Sequence, residues 1–282
     1  MRVDIGGCRL FFDVEGARLR PDGSRMREVP TLMMLHGGPG ADHSIFKPAY
    51  SQLADIVQVV YFDHRGDGRS DGRNDSARWR LAQWGDDVKA LCDALEIERP
   101  IVMGVSFGGY VAMSYALRHP DHPGKLILCS TAASPSKKEI QVKTFERLGG
   151  ADAGAAARSF LEDPTPDTTR NFRRLCGPLY HRTPHDRDVD ARTIWNPRVM
   201  AEFRRGERET MNFLPELHRI KCPTLVMVGE DDPMTPVPCS EEIVAALPPD
   251  RVRFERFAGA GHGIVADQPK RFFEVLRAFI GA

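Results

Sequence analysis

Short apolar runs alternate with stretches of helical periodicity along most of the chain. Thr31–Leu35 and Ile101–Val105 consist almost wholly of apolar residues, which is typical of strands that are buried on both faces of a parallel sheet. Apolar residues at helical spacing follow such runs, and the clearest stripe lies in Pro269–Ile280. This alternation predicts the α/β class, with a doubly wound and mostly parallel sheet.

The same criteria place elements along the rest of the chain. The remaining predicted strands are Arg9–Val14, Ile56–Phe62, Lys125–Cys129, Thr224–Val228 and Val252–Phe257. The remaining predicted helices are Trp84–Leu95, Tyr110–Leu117 and Glu241–Leu247. A turn is predicted at Arg20–Gly23, where proline, aspartate and glycine follow one another.

The alternation stops near residue 134 and resumes near residue 219. Between these positions strand-like runs vanish, arginine becomes frequent, and short amphipathic pieces are separated by proline and glycine. We therefore predict an α/β core formed by residues 1–133 and 219–282, with a helical cap at residues 134–218. Such a cap would lie over the carboxyl edge of the sheet, where open α/β folds bind their ligands. The alternative is a set of connecting helices with no role in binding.

Composition narrows the possible partners. The chain has 282 residues, and its 39 Lys and Arg balance its 39 Asp and Glu, so it lacks the overall positive charge of a nucleic-acid or anionic-membrane binder. No apolar run reaches the roughly 18–20 residues that a membrane span needs, and the first residues lack the apolar segment of a signal peptide. We expect a cytoplasmic protein that acts on a small molecule or a short peptide, with no nucleic-acid and no membrane partner. The sequence does not indicate an oligomeric state.

The six cysteines are spread over the chain without a C-x-x-C pair and without histidines at zinc-ligand spacing. We expect free thiols in buried or partly exposed positions, because a chain of this length does not need a disulfide framework. Neither a metal ion nor an organic cofactor is predicted.

A G-x-S-x-G pattern occupies Gly104–Gly108, between a predicted strand and a predicted helix. This is the context of a nucleophile elbow, a sharp turn that raises the serine hydroxyl above the end of the strand. Glycine on both sides of the serine lacks the Cβ atoms that would clash in such a turn. Ser106 is therefore the predicted nucleophile.

A serine hydroxyl needs a general base, and His262 is the best candidate among the nine histidines. It lies in the small-residue loop Gly259–Gly263 after the last predicted strand, where an imidazole can reach the sheet edge without steric hindrance. His43 and His64 lie in other loops, and we expect them to have structural roles.

A carboxylate must orient this base, and we expect it on a loop between the serine and the histidine. Glu230, Asp231 and Asp232 follow the predicted strand Thr224–Val228. Mutual repulsion predicts that only one of the three carboxylates faces the histidine. We select Asp232, which precedes a proline, and keep Asp231 as the alternative.

The oxyanion that forms during acyl transfer needs backbone N–H donors. Phe107, directly after the serine, would supply one donor. The loop His36–Gly40 would supply the second, with Gly38 as the better candidate and Gly37 as the alternative, because Pro39 has no N–H.

Together these motifs resemble the proline iminopeptidase-like branch of the α/β-hydrolase superfamily. The resemblance rests on H-G-G-P-G at His36–Gly40, D-H-R-G-D-G-R-S at Asp63–Ser70, the serine elbow and the order Ser, Asp, His. It spans nearly the whole predicted core and implies the α/β-hydrolase fold. Two residues depart from the pattern of the family peptidases: Phe107 replaces the usual Trp, and His64 replaces the usual Gln.

Peptidases of that branch hold the amino group of the substrate with acidic residues of the cap. Residues 134–218 contain 13 acidic residues against 15 Lys and Arg, so this cap is not broadly acidic. Glu202, Glu207 and Glu209 are the candidates for substrate binding, and exposed positions on a helix are the alternative for each.

The sequence thus predicts a serine hydrolase that cleaves an amide or ester bond of a small substrate through an acyl-enzyme. The resemblance implies a substrate like that of a proline iminopeptidase. A carboxylesterase or lactonase is the first alternative. An acyltransferase or perhydrolase that uses the same triad is the second.

Overall fold

A computed structural model describes residues 1–135, 137–184 and 186–282. Its strands are β1 (Arg2–Asp4), β2 (Arg9–Glu15), β3 (Leu19–Asp22), β4 (Arg25–Glu28), β5 (Thr31–Leu35), β6 (Gln58–Phe62), β7 (Ile101–Val105), β8 (Lys125–Cys129), β9 (Thr224–Gly229) and β10 (Val252–Phe257). The main sheet has the order β1-β2-β6-β5-β7-β8-β9-β10, while β3 and β4 form a separate hairpin. Pairing is antiparallel at β1 and β2 and parallel from β6 to β10, so the predicted α/β class and mostly parallel sheet are confirmed.

Helices cover both faces of this sheet and fill the segment between β8 and β9. They are α1 (Leu81–Ala94), α2 (Phe107–Arg118), α3 (Lys138–Glu162), α4 (Pro166–Leu175), α5 (Arg187–Arg192), α6 (Pro197–Arg205), α7 (Glu207–Thr210), α8 (Val237–Ala246), α9 (Ile264–Asp267) and α10 (Pro269–Gly281). Short 3-10 helices lie at His43–Phe46, Ala49–Asp55, Ser76–Arg78, Gly177–Tyr180 and Leu214–Arg219. None of the described helices is both long and apolar enough to cross a membrane.

Strand β5 shows why the sheet needs both layers of helices. Met33 and Leu35 pack into the apolar cluster that contains α1 and α2, whereas Leu32 and Met34 pack into the cluster that contains α10. Successive side chains of a strand point to opposite faces, and every residue of β5 is buried. The apolar run is therefore continuous rather than alternating.

The chain changes direction across the sheet at β5. Strand β6 lies on one side of β5 and β7 on the other, with Leu35 opposite both Phe62 and Gly104. A switch of this kind opens a crevice at the carboxyl ends of the strands, where ligands of doubly wound folds bind.

The segment between β8 and β9 builds a small core of its own. Helices α3 and α4 enclose a buried cluster around Phe145, Phe160 and Phe172, and the last two rings stack with their centroids 4.1 Å apart. Among the described residues between β8 and β9 there is no strand. We propose that the described residues between 134 and 218 form a helical cap on the core.

Candidate active site

The serine of the elbow lies in a strained turn between β7 and α2. Ser106 has φ 54° and ψ −117°, a conformation that residues other than glycine adopt only under constraint. A Cβ on Gly104 would lie 2.2 Å from the carbonyl oxygen of Gly108, and one on Gly108 would lie 2.0 Å from that of Leu35. Glycine at both positions is therefore a packing requirement of the elbow.

His262 and Asp232 form a hydrogen-bonded pair at the same edge of the sheet. His262 Nδ1 lies 3.0 and 2.9 Å from the two carboxylate oxygens of Asp232. The Asp232 side chain is fully buried, whereas 15% of the His262 side chain is exposed. Burial by itself would raise the pKa of Asp232, but the charge of His262 and hydrogen bonds from Thr235 outweigh it and hold the pKa below the usual value.

The structure separates the two acidic residues that the sequence left as alternatives. Asp231 forms an ion pair with Arg147 of α3 at 2.7 Å and so faces the cap. Asp232 turns inward to His262 and also accepts hydrogen bonds from the N–H groups of Met234 and Thr235. The neighbouring carboxylates therefore point to different regions of the molecule.

Parallel pairing explains why these distant residues share one edge. Ser106 follows β7, Asp232 follows β9 and His262 follows β10, and all three strands run in the same direction. The intervening strand β8 connects them, since the N–H of Ser106 donates to the carbonyl of Cys129 at 3.0 Å.

The glycine loop after β5 passes directly beside the serine. A Cβ on Gly37 would lie 3.4 Å from the Cβ of Ser106. Within the described chain, no protein acceptor bonds the N–H groups of Gly37, Gly38 or Phe107. Three main-chain donors near the elbow are thus available to a ligand.

Sequence reasoning missed how this loop is anchored at Gly40. Its N–H donates to Oδ2 of Asp67 at 3.2 Å, and its carbonyl accepts the N–H of Asn196 at 2.7 Å. The amide of Asn196 also donates to the carbonyl of Gly66 at 2.7 Å, so one cap residue holds two core loops. In the sequence Asp67 looks like an ordinary loop acid, which would be exposed. The structure shows instead that Asp67 is completely buried.

Phe107 is packed rather than exposed, with its ring in an aromatic group. Edge-on contacts join it to Trp84 at 5.0 Å, His64 at 5.7 Å and Phe203 of α6 at 5.1 Å between ring centroids. The cap therefore reaches the residue next to the serine.

A second cap contact reaches the histidine. The N–H of His262 donates to the carbonyl of Tyr180 at 2.8 Å, and the two rings meet edge-on at 5.7 Å. A Cβ on Gly261 would lie 2.4 Å from the same carbonyl oxygen, which explains the small residue before the histidine. No sequence signal marked Tyr180.

The three acidic cap residues each have a protein partner. Glu202 pairs with Arg205 at 3.5 Å and Glu209 with Lys138 at 3.5 Å, both at exposed positions. Glu207 accepts the N–H of Leu81 at 2.6 Å, at the start of α1. The structure thus brings none of the three into contact with His262 or Ser106.

Asp42, His43 and Asp63 have potential metal-ligand atoms that all lie within 4.8 Å of one another. Asp63 accepts from His43 Nδ1 at 2.6 Å, and Asp42 pairs with the guanidinium of Arg69. A guanidinium beside these carboxylates already supplies the positive charge that they need. We interpret the group as the network that fixes the loops after β5 and β6.

Comparison with known proteins decides the family. The alpha/beta hydrolase fold family matches residues 30–269 of the chain. The chain belongs to this α/β-hydrolase family. The hydrolase is 28% identical over 254 residues to the putative carbamate hydrolase RutD of Caulobacter vibrioides, which covers 88% of this chain and 90% of the relative. It is 30% identical over 238 residues to the proline iminopeptidase PfmaB of Pestalotiopsis fici, covering 80% and 83%.

Solved structures agree with this placement of the hydrolase. The proline iminopeptidase-related protein of Thermus thermophilus superposes with a TM-score of 0.76 and 25% identity, over 99% of this chain and 95% of the other. The enol-lactonase of Burkholderia xenovorans has the same fold, with a TM-score of 0.69 and 23% identity over the full length of both chains. The predicted fold, the hydrolase class and the likeness to proline iminopeptidases are therefore confirmed.

Proposed function

We propose that the enzyme is a serine hydrolase in which Ser106 attacks the carbonyl of a small ester or amide to form an acyl-enzyme. The observation that carries the proposal is the contact of His262 Nδ1 with both oxygens of Asp232, at the sheet edge where Ser106 is held in a strained turn. A histidine fixed through Nδ1 by a buried carboxylate presents Nε2 as a base.

In the proposed mechanism His262 Nε2 accepts the proton of Ser106 as Oγ attacks the carbonyl carbon, and Asp232 stabilises the imidazolium. The N–H groups of Phe107 and Gly38 stabilise the oxyanion, each by about 3 kcal/mol. His262 then donates the proton to the leaving group. Water, deprotonated by His262, hydrolyses the acyl-enzyme and restores the serine.

The nucleophile is tested by Ser106→Ala, with Ser130→Ala as the matched control. Ser130 also lies at the end of a central strand, is buried and has φ 47°, so both changes remove one hydroxyl from the same edge. We expect Ser106→Ala to lower kcat/KM by several orders of magnitude and to abolish covalent labelling by a fluorophosphonate. Near-normal turnover or labelling of this variant, with an unchanged circular dichroism spectrum, would overturn the proposal.

Two substrate classes compete for this site. The 30% identity to a proline iminopeptidase supports a substrate with a free amino group. The structure favours a small ester or a lactone. Glu202, Glu207 and Glu209 are bonded to protein partners, and an ester or a lactone does not need a site for an amino group.

A substrate panel separates the two classes. We would compare kcat/KM on proline naphthylamide, short p-nitrophenyl esters and a series of lactones. Faster turnover of esters or lactones is the expected result. A dominant rate on proline naphthylamide would establish the peptidase activity instead.

A further inference from the structure

Arg204 and Arg208 are among the described arginines of the cap that have no carboxylate partner. Arg204 lies in the last turn of α6 and Arg208 lies in α7, and among the described residues no carboxylate oxygen lies within 4.0 Å of either guanidinium. Their neighbour Arg205, in contrast, is 75% exposed and pairs with Glu202 at 3.5 Å. Neither guanidinium is therefore neutralised by a contacting carboxylate, although the charge of Glu209 acts on Arg204 from a greater distance.

Arg204 directly follows a residue that packs beside the proposed nucleophile. Phe203 packs against Phe107, directly after the nucleophile, with a ring distance of 5.1 Å. The Arg204 guanidinium lies 4.1 Å above the ring of Phe160. Burial raises the pKa of Tyr180, and the charge of Arg204 is the largest effect that opposes this rise. Tyr180, whose ring meets that of His262, packs against the same apolar cluster as Phe160, so α6 contacts residues that lead to the nucleophile and residues that lead to the histidine.

Arg208 lies on the nucleophile side of the same region. Its guanidinium is 5.5 Å from the ring centroid of Tyr110, and it donates to the carbonyl of Ser134 at 3.3 Å. The Tyr110 ring in turn stacks on Phe203 at 6.0 Å. Arg208 thus contacts an aromatic residue of the group around the elbow, whereas Arg204 contacts Phe160 of the cap cluster.

Burial makes this arrangement unfavourable without an anion. Arg204 is half-buried, and burial together with the nearby charge of Arg208 lowers its pKa. A guanidinium stacked on an aromatic face keeps its N–H edge free for a planar, bidentate acceptor such as a carboxylate. A bound carboxylate would offset the cost of burying this charge.

We propose that Arg204 and Arg208 form a subsite for a carboxylate on the acyl part of the substrate. The preferred substrates would then be monoesters of short dicarboxylic acids. The proposal rests on the serine-hydrolase function proposed above and names the substrate class of that site.

A pair of esters that differ in one charge tests this subsite. We would measure kcat and KM on the mono-p-nitrophenyl ester of adipic acid and on p-nitrophenyl pentanoate. Charge-assisted hydrogen bonds contribute about 1.5–3 kcal/mol, so Arg204→Gln should lower kcat/KM on the adipate ester about 10- to 100-fold, mainly through KM. The rate on the pentanoate ester should change less than about threefold.

Arg205→Gln is the matched control because it removes one positive charge from the same helix at an exposed, paired position. It should leave the ratio of the two ester rates unchanged. An equal loss on both esters in Arg204→Gln, or the same loss of ratio in Arg205→Gln, would overturn the subsite.

Binding of adipate to the wild-type protein, measured by calorimetry, separates the two proposals. We expect binding that is lost in Arg204→Gln, and no binding of neutral hexane-1,6-diol. If adipate binds in this way but Ser106→Ala hydrolyses esters normally, the subsite stands and the proposed nucleophile is wrong. If adipate does not bind and the charged ester has no advantage, the subsite is wrong while the serine-hydrolase function stands.

Discussion

The core edge, by which we mean the loops that follow the parallel strands and carry Ser106, Asp232 and His262, differs from the cap in how its charged residues are buried and paired. In the core, an ion pair beside the site is buried: Arg65 donates to both oxygens of Asp87 at 2.8 and 2.6 Å, and each side chain is only 4% exposed. In the cap, pairs such as Arg158–Glu139 lie at the surface, and Arg204 is half-buried without a carboxylate. Surface pairs contribute little to stability, whereas breaking a buried pair is costly. The core edge is thus fixed by its own contacts, while charge in the cap is available to a ligand.

Adjacent acids offer the sharpest test of this comparison, because Asp232 belongs to the core edge and Asp231 pairs with the cap. We expect Asp232→Asn to lower kcat about 10⁴-fold, since the amide would favour the wrong tautomer of His262. Asp231→Asn should change kcat less than about threefold, because it removes an ion pair at a partly exposed position. Equal losses from the two variants, measured on one ester, would contradict the assignment of Asp232.

Glycines give the second contrast, in stability. Gly104→Ala would place a methyl group 2.2 Å from a carbonyl oxygen inside the elbow, whereas a Cβ on Gly177 of the cap meets no atom within 4 Å. We expect Gly104→Ala to lower the free energy of unfolding by at least about 3 kcal/mol and Gly177→Ala to change it by less than about 0.5 kcal/mol. Urea titrations measure both values. Similar midpoints for the two variants would mean that the elbow tolerates a side chain.

Among the buried acids that the structure describes in the core, Asp67 differs from the rest because one of its oxygens has no partner. Burial raises its pKa well above the usual value. The folded protein therefore keeps a proton that the unfolded chain releases above its carboxyl pKa of about 3.9, so stability falls as the pH rises toward the folded pKa.

Removing that charge should stabilise the core at neutral and alkaline pH. We expect Asp67→Asn to raise the free energy of unfolding by about 1–3 kcal/mol at pH 8 and to have little effect at pH 4, as measured by urea titration. Asp71→Asn, which removes an exposed partner of Arg9, should change stability by no more than about 0.5 kcal/mol. A variant at Asp67 that is equally destabilised at both pH values would show that its carboxylate is needed in the charged form.

The same contrast explains how much of the fold the sequence predicted. Buried strands of the core were assigned with their bounds, as at Thr31–Leu35 and Ile101–Val105, because burial on both faces leaves an unbroken apolar run. The turn predicted at Arg20–Gly23 is displaced toward the C-terminus, because Arg20 to Asp22 belong to β3 and the turn lies at Gly23 and Ser24. The exposed residues of a surface hairpin do not alternate between apolar and polar. The sequence therefore gave no sign of the strand, and only the proline and the glycine indicated a structure, namely a turn.

The features of the candidate site also fall into two groups, those that the sequence predicted and those that it did not. The motifs predicted a serine in a sharp turn and an acid that faces His262, and the structure has both, since these depend on local backbone and strand order. Contacts between distant segments left no local pattern, such as Asn196 bonded to Gly40 or Tyr180 bonded to His262. The cap residues near the site are held in place by tertiary contacts. Such contacts produce no periodic pattern of apolar residues from which a single sequence could predict them.

The prediction with the smallest expected effect concerns Glu207, a cap residue that contacts the core. Its carboxylate accepts the N–H of Leu81 at the first turn of α1, where it satisfies a helix-end donor and complements the helix dipole. We expect Glu207→Ala to lower the free energy of unfolding by about 1 kcal/mol, and Glu209→Ala, which removes only a half-exposed pair with Lys138, to change it by less than about 0.5 kcal/mol. The ratio of proline naphthylamide to ester turnover should be the same in both variants and in the wild type. A selective loss of naphthylamide turnover in Glu207→Ala would instead make this residue the amino-group ligand of a peptidase, and the cap would then contribute an acid as well as arginines to substrate binding.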